Sequence, residues 1–472
     1  MQPTTDHLAD QTVADLVRRT TSGELSALAV TEACLDRIAE RDPALNAFSV
    51  VLAGEARAQA ARLDADRAAG NPSGALHGVP VAIKEELDVA GCVTTFGGRA
   101  NSTPAAHDGE VVRRLRAAGA VVIGKTRMPE FGQWPFTESV DGGHTHNPWD
   151  PTRTPGGSSG GTAVAVAAGM VPVGIGGDGG GSIRIPAACC GIFGLKPERG
   201  RVTSAPMEHL WWALGTAGPL SRTVLDSAIV YDVIRGATPN DRYSAPDPAT
   251  TFTEAVRTPV ARLRVGWSTR PVTRGLRPDP QHVQAVRDTA QLLADMGHDV
   301  HEVDPRYPDP TLAFVPQFFA GVRAEADLVE QFSHLERRTR QVYRLGAWVG
   351  RPVLERALRA GERVAEKANR VFDHVDVLLT PTIAHRPGQI GRLDRGGPVT
   401  AALRSMQMIA YTALWNVTGN PAASVPAGMG DDGLPLAVQL VGRRSEETTL
   451  LGLAAQLEEL RPWQMPAMRA DG

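Results

Sequence analysis

The chain has 472 residues, and its 49 lysines and arginines against 52 aspartates and glutamates leave a formal charge of −3. That near-neutrality argues against a dedicated nucleic-acid binder, whose domain would carry a net basic surface. With 42% hydrophobic and 21% charged residues, the composition is globular and excludes a disordered or fibrous chain. Forty-nine glycines, 35 prolines and only 5% aromatics place the core on aliphatic packing and close backbone approach.

Residues 1–12 lack the apolar stretch of a secretory signal. Ser26 followed by Leu28, Leu35 and Ile38 predicts a capped amphipathic helix that ends before Asp42-Pro43. An Ala- and Arg-rich helix follows over about 51–69, stopped by Gly70-Asn71-Pro72. The grammar then changes. Residues 79–83 read as a strand, 110–118 as a helix closing on Gly119, and 120–123 as a buried strand. Residues 162–168 read as a helix and 170–175 as a strand. Past Arg257, residues 263–267 read as a strand. Val283, Val286, Ala290, Leu293 and Met296 mark one helix face ending at Gly297, and 375–379 form another strand. This alternation predicts an α/β fold, a single large mixed sheet flanked by helices on both faces. Residues 1–70 form a helical N-terminal arm, and 71–472 one α/β domain with core motifs at 78–197 and a C-terminal half at 257–472. The longest apolar run, 162–177, is too short and too broken by glycine and proline to span a bilayer. Cys34, Cys92, Cys189 and Cys190 fit no zinc or redox spacing, which reads as four reduced thiols in a cytoplasmic protein.

Three local patterns compete for attention. Residues 119–126 satisfy the phosphate-loop pattern G-x-x-x-x-G-K-[ST], but the interior Ala-Val-Val-Ile belongs to a strand whose amides serve a ladder. The expected reading is a strand end plus a surface lysine, Lys125. Gly174, Gly176 and Gly179 satisfy the dinucleotide pattern, yet Pro186 falls where the required long helix should run. Gly156-Gly157-Ser158-Ser159-Gly160 satisfies the nucleophile elbow, but the proline-broken loop before it cannot be a central strand.

What survives is a pair of serine-glycine turns, 156–161 and 176–182. Consecutive glycines let successive N–H groups converge on one point, as an oxyanion needs where a serine has attacked a carbonyl. None of the twelve histidines falls in a recognisable triad context. Lys84 ends the apolar run 79–83 and so stands at the mouth of a buried strand, where partial desolvation would supply a neutral amine. Glu85 and Glu86, if close, would favour the charged form and oppose that role.

At this point Gly78-Val-Pro-Val-Ala-Ile-Lys84, Thr94-Thr95-Phe-Gly97, residues 155–161, 178–186 and Gly194-Leu-Lys-Pro197 can be taken together. With Gly419-Asn-Pro-Ala-Ala-Ser-Val-Pro426 and Gly433-Leu-Pro-Leu-Ala-Val-Gln439, the chain resembles the amidase signature family of Ser-cisSer-Lys amidohydrolases, bacterial amidases and aryl acylamidases among them. The resemblance implies Ser182 as nucleophile, Ser158 as bridging serine on a cis peptide, and Lys84 as base. It places the oxyanion on the N–H groups of Gly179, Gly180, Gly181 and Ser182. Ser159, Asp178 and Arg184 then support the site, the last two as a charge pair, with Cys189 and Cys190 packed beneath. Met128, Trp134, Phe136, Trp211 and Trp212 fall in loops that line the family's pocket, which suits apolar or aryl amides, anilides, esters or carbamates. No metal or cofactor is implied. The expected partner is a small-molecule amide, with neither nucleic acid nor a membrane span, and at most a second copy of the chain. Two positions depart from the family's pattern: Glu85-Glu86 stands where Asp-Asn is usual, and Gly177 where Thr is frequent. The runner-up is the glutaminase subunit of a tRNA-dependent amidotransferase, which typically has Gln where this chain has Ile185. A P-loop nucleotide binder on 119–126 ranks third.

Overall fold

The computed structural model describes residues 8–72, 74–273, 275–392 and 396–466, so residues 1–7 of the N-terminal stretch lie outside it. Its strands in chain order are β1 (Phe48–Val51), β2 (Pro80–Lys84), β3 (Val121–Thr126), β4 (Glu138–Ser139), β5 (Gly143–His144), β6 (Val173–Gly177) and β7 (Phe193–Lys196). There follow β8 (Ala217–Ser221), β9 (Arg264–Trp267), β10 (Asp299–Glu302), β11 (Val377–Pro381), β12 (Ala422–Met429) and β13 (Pro435–Gly442). All but the β4–β5 hairpin join one 11-stranded sheet, in the order β1-β3-β2-β6-β8-β7-β12-β13-β11-β9-β10. β2 runs parallel to both β3 and β6, and β9 runs parallel to both β10 and β11. The strands from β6 across to β11 pair antiparallel, so the sheet is mixed.

Side chains that alternate along a strand must face opposite layers. Val81 and Ile83 join one core cluster while Ala82 joins another; Val122 likewise opposes Val121 and Ile123. The first layer is closed by helices Glu110–Ala117, Val224–Ile234, Pro280–Asp295 and Glu447–Leu460, the second by Ala27–Leu45 and Gly160–Ala167. Every residue of Gly160–Ala167 is buried, as an apolar-all-round helix requires. Among the described residues no helix is long and apolar enough to cross a membrane.

Four local expectations need correction. The N-terminal segment holds β1, which pairs antiparallel with β3 at the sheet edge; four residues are too few to register as a period. Helix Ala27–Leu45 runs through Pro43 and stops only at Asn46, which takes the left-handed conformation and donates its N–H to Asp42 O. Lys125 is not on the surface. It lies inside β3, fully buried, its Nζ donating to Val93 O and Thr94 Oγ1 at 3.2 Å each, and burial pushes its ammonium below the ordinary lysine range. Pro186 does not prevent a helix, since Arg184–Cys190 forms around it with the proline in the first turn, where an N–H has no intrahelical partner anyway.

Candidate active site

Parity along β2 sets the first functional side chain. Lys84 shares the face of Ala82, the face covered by helix Gly160–Ala167, and it leaves the strand where the loop before that helix passes. It is 1% exposed. Its Nζ donates to Ser158 Oγ at 2.8 Å, and the Gly157–Ser158 peptide is cis. Glu85 and Glu86 diverge. Glu85 accepts from Thr95 Oγ1, whereas Glu86 Oε1 lies 3.2 Å from Lys84 Nζ.

The second serine-glycine turn leaves the end of β6. Ser159 ties the two turns together: its Oγ bridges the N–H and C=O of Gly177 at 3.3 and 3.2 Å, and its own N–H donates to Ser182 O at 3.3 Å. Asp178 shapes the turn from within. Its carboxylate accepts from Gly181 N at 2.7 Å, Ile183 N at 3.2 Å and the guanidinium of Arg184 at 3.0 Å through both oxygens. Arg184 is completely buried and reaches Asn416 Oδ1 at 2.7 Å, Gln439 Oε1 at 2.8 Å and Thr412 O at 3.1 Å. Although burial alone would raise the Asp178 carboxyl, the Arg184 charge and hydrogen bonds hold it well below the usual carboxylate range. Lys196, buried beside the pair, is pushed down to about 7 by desolvation first and the Arg184 charge second.

This arrangement revises one assignment. Gly181 gives its N–H to Asp178, so it braces the loop and is not free to bind an oxyanion. Among the described residues no hydrogen bond takes the N–H groups of Gly179, Gly180 or Ser182. Lys84, Ser158, Gly179, Gly180 and Ser182 line one small cavity of about 30 Å³. Ser182 and Gly180 also line a cleft of about 600 Å³ whose walls include Trp134, Ile185, Trp211, Phe314, Phe318 and Met406. Of the large apolar side chains expected at the pocket, Trp134 and Trp211 are there. Met128 and Phe136 are not: both are buried, Met128 with its Cε against Gly132 and Phe136 in the core with Phe131 and Cys189. Trp212 stacks on His209 and faces a separate cavity of about 120 Å³. Cys189 and Cys190 are buried in helix Arg184–Cys190, the Cys189 thiol pushed up to about 12 by desolvation.

Some participants carried no readable signal. Gly132, at φ +62°, lays bare backbone against Ser158; a Cβ there would stand 3.0 Å from its Oγ. Glu325 accepts from Trp211 Nε1 at 2.8 Å, and burial pushes its carboxyl well above the usual range. Asn416 and Thr412 come from more than 200 residues away, and nothing in a single sequence pairs them with Arg184. Chemically, a hydroxyl bonded to a buried amine, a second hydroxyl in the same cavity and unengaged N–H groups beside it are the parts of an acyl-transfer centre.

A family model described as Amidase matches residues 29–451. The chain belongs to the amidase signature family. It is therefore an amide hydrolase. It is 45% identical over 466 residues, 98% of each chain, to AmiB2 of Mycobacterium tuberculosis, a protein named as an amidase. It is 36% identical over 492 residues to a glutamyl-tRNA(Gln) amidotransferase subunit from Roseiflexus castenholzii, covering 98% of each. Among solved structures, 6-aminohexanoate cyclic dimer hydrolase complexed with substrate superposes with a TM-score of 0.91 at 31% identity, covering 98% of this chain and 99% of that one. Family membership carries the fold and the amide-hydrolase class; the acyl and amine groups accepted are a matter for the cleft.

Proposed function

We propose that the chain cleaves the C–N bond of apolar or aryl carboxylic amides through an acyl-enzyme on Ser182. Neutral Lys84 accepts a proton from Ser158 as Ser158 takes one from Ser182, whose oxygen attacks the amide carbonyl. The N–H groups of Gly179, Gly180 and Ser182 receive the oxyanion. Ser158 then returns a proton to the departing amine, and water resolves the acyl-enzyme. The observation that carries this reading is the 2.8 Å bond from Lys84 Nζ to Ser158 Oγ inside a cavity that Ser182 shares.

The apolar preference rests on the cleft. Among the described residues its only charged lining side chain is Asp309, while Trp134, Ile185, Phe314 and Phe318 present hydrocarbon to whatever occupies it. Free glutamine, with its charged α-groups, would find few partners there, which supports the amidase reading over the amidotransferase one. The test is a panel of alkyl and aryl amides, anilides and esters with glutamine included, run beside Ser182→Ala and read by product release and by intact mass for the acyl adduct. Turnover of apolar substrates that Ser182→Ala lowers by on the order of 10⁴-fold or more is expected. A glutamine-only activity, or an adduct that persists in Ser182→Ala, overturns the proposal.

A further inference from the structure

Lys84 Nζ stands between two oxygens, Ser158 Oγ at 2.8 Å and Glu86 Oε1 at 3.2 Å. The carboxylate can occupy its position because residue 177 has no side chain: a Cβ there would collide with Glu86 Oε1. Gly177 lies in strand β6 and is not among the glycines with positive φ. Its backbone is one any residue adopts, and what glycine supplies is room.

We propose that Glu86 is a positioning residue for Lys84, the counter-charge to the ammonium formed during attack, and that Gly177 is the gap that admits it. The inference rests on the reading of Lys84 as the base. The proton leaves Ser182 Oγ for Ser158, and the Ser158 proton passes to Nζ, so a neutral amine becomes an ammonium beside a carboxylate. Nothing passes on to Glu86, and the proton returns through Ser158 to the leaving amine. Held against the carboxylate, Nζ stays within 2.8 Å of Ser158 Oγ and does not swing into the cavity.

Other titratable groups face this pair. Helix Thr311–Leu328 presents Glu325, which burial holds protonated well above the usual range, with Glu86 adding to that push. Asp178 lines the same cavity and is committed to Arg184. Around the second cavity that Glu86 also lines stand Asp88, Arg199, Glu208, His209, Asp241 and Tyr243.

The experiment is the pH profile of kcat/KM for wild type, Glu86→Gln, Lys84→Ala, Gly177→Ala, Glu86→Ala and Glu86→Ala/Gly177→Ala. Glu86→Gln removes the charge that favours the ammonium. Two linked changes are expected: the ascending limb moves to lower pH by about one unit or more, and the plateau falls by about tenfold or more. Gly177→Ala reproduces both, because it evicts the carboxylate, and costs nothing further once Glu86 is Ala. A lower plateau with an unmoved limb overturns the proposal in favour of a purely structural role, and an unchanged Glu86→Gln overturns it outright. Should Gly177→Ala fail to fold, the Glu86→Gln limb alone decides. Lys84→Ala separates the two layers of inference. Full activity there discards the base itself, whereas a dead Lys84→Ala beside an unmoved Glu86→Gln limb discards only the counter-charge.

Discussion

Glu130 allows the energetic consequence of burial beside the site to be measured as a pH dependence. It opens the 3-10 turn Glu130–Gly132, whose last residue rests on Ser158. The residue is 2% exposed, and its carboxylate accepts from Glu336 N at 3.2 and 3.0 Å. Burial first, with the Glu336 charge behind it, raises the carboxyl from 4.5 to about 7. Between those values the folded protein keeps a proton that the unfolded chain has released. The raised value therefore contributes stability that is full below pH 4.5 and lost as pH rises through about 7. A difference of about 2.5 at 1.36 kcal/mol per pH unit amounts to about 3 kcal/mol. Glu130→Gln has the size of the protonated acid and no charge to bury. Urea unfolding midpoints of wild type and variant should nearly coincide at pH 4, then diverge in the variant's favour through pH 5–8 toward that full difference. An offset that stays constant from pH 4 to 9, or a variant that loses ground as the pH rises, refutes the argument.

Three further outcomes follow from single contacts. Arg184→Met leaves the Asp178 carboxylate buried without its cation, which should cost about 3–5 kcal/mol and lower the thermal midpoint by several degrees; a midpoint unchanged within a degree would show that Asn416 and the loop amides suffice. Gly132→Ala forces a Cβ to 3.0 Å from Ser158 Oγ at a φ of +62°, so kcat should fall about tenfold or more with little change in KM, checked by steady-state kinetics on one substrate. Phe318→Ala removes a ring that packs edge-on against Trp211 at 5.4 Å and lines the cleft. KM should rise roughly tenfold for long or aryl acyl amides and hardly at all for short ones; an equal rise for both would take Phe318 off the acyl path.

The division of labour between sequence and fold runs along the range of the interactions. Local pattern determined the strand ending at Lys84, the helix after Ser158 and the glycine turn before Ser182, because hydrophobic period and glycine content are properties of neighbours in the chain. It also settled that residues 119–126 are no phosphate loop, since four apolar residues in a row belong to a ladder. What no local pattern could reach was direction and distance. Lys125 looked as exposed as any lysine until the segment at Val93 and Thr94 met its ammonium. Glu85 and Glu86 read as one acidic pair, yet the first turns to Thr95 and the second to Lys84, because both sit in the tight turn after β2 that the Leu87 N–H closes on Lys84 O. Gly181 promised an oxyanion contact that Asp178 claims, and Met128 and Phe136 were drawn into the core by the apolar surface awaiting them. The brace on Arg184 joins residues more than 200 positions apart, and only the pairing of β12 with β7, and of β13 with β12, brings them within hydrogen-bond reach.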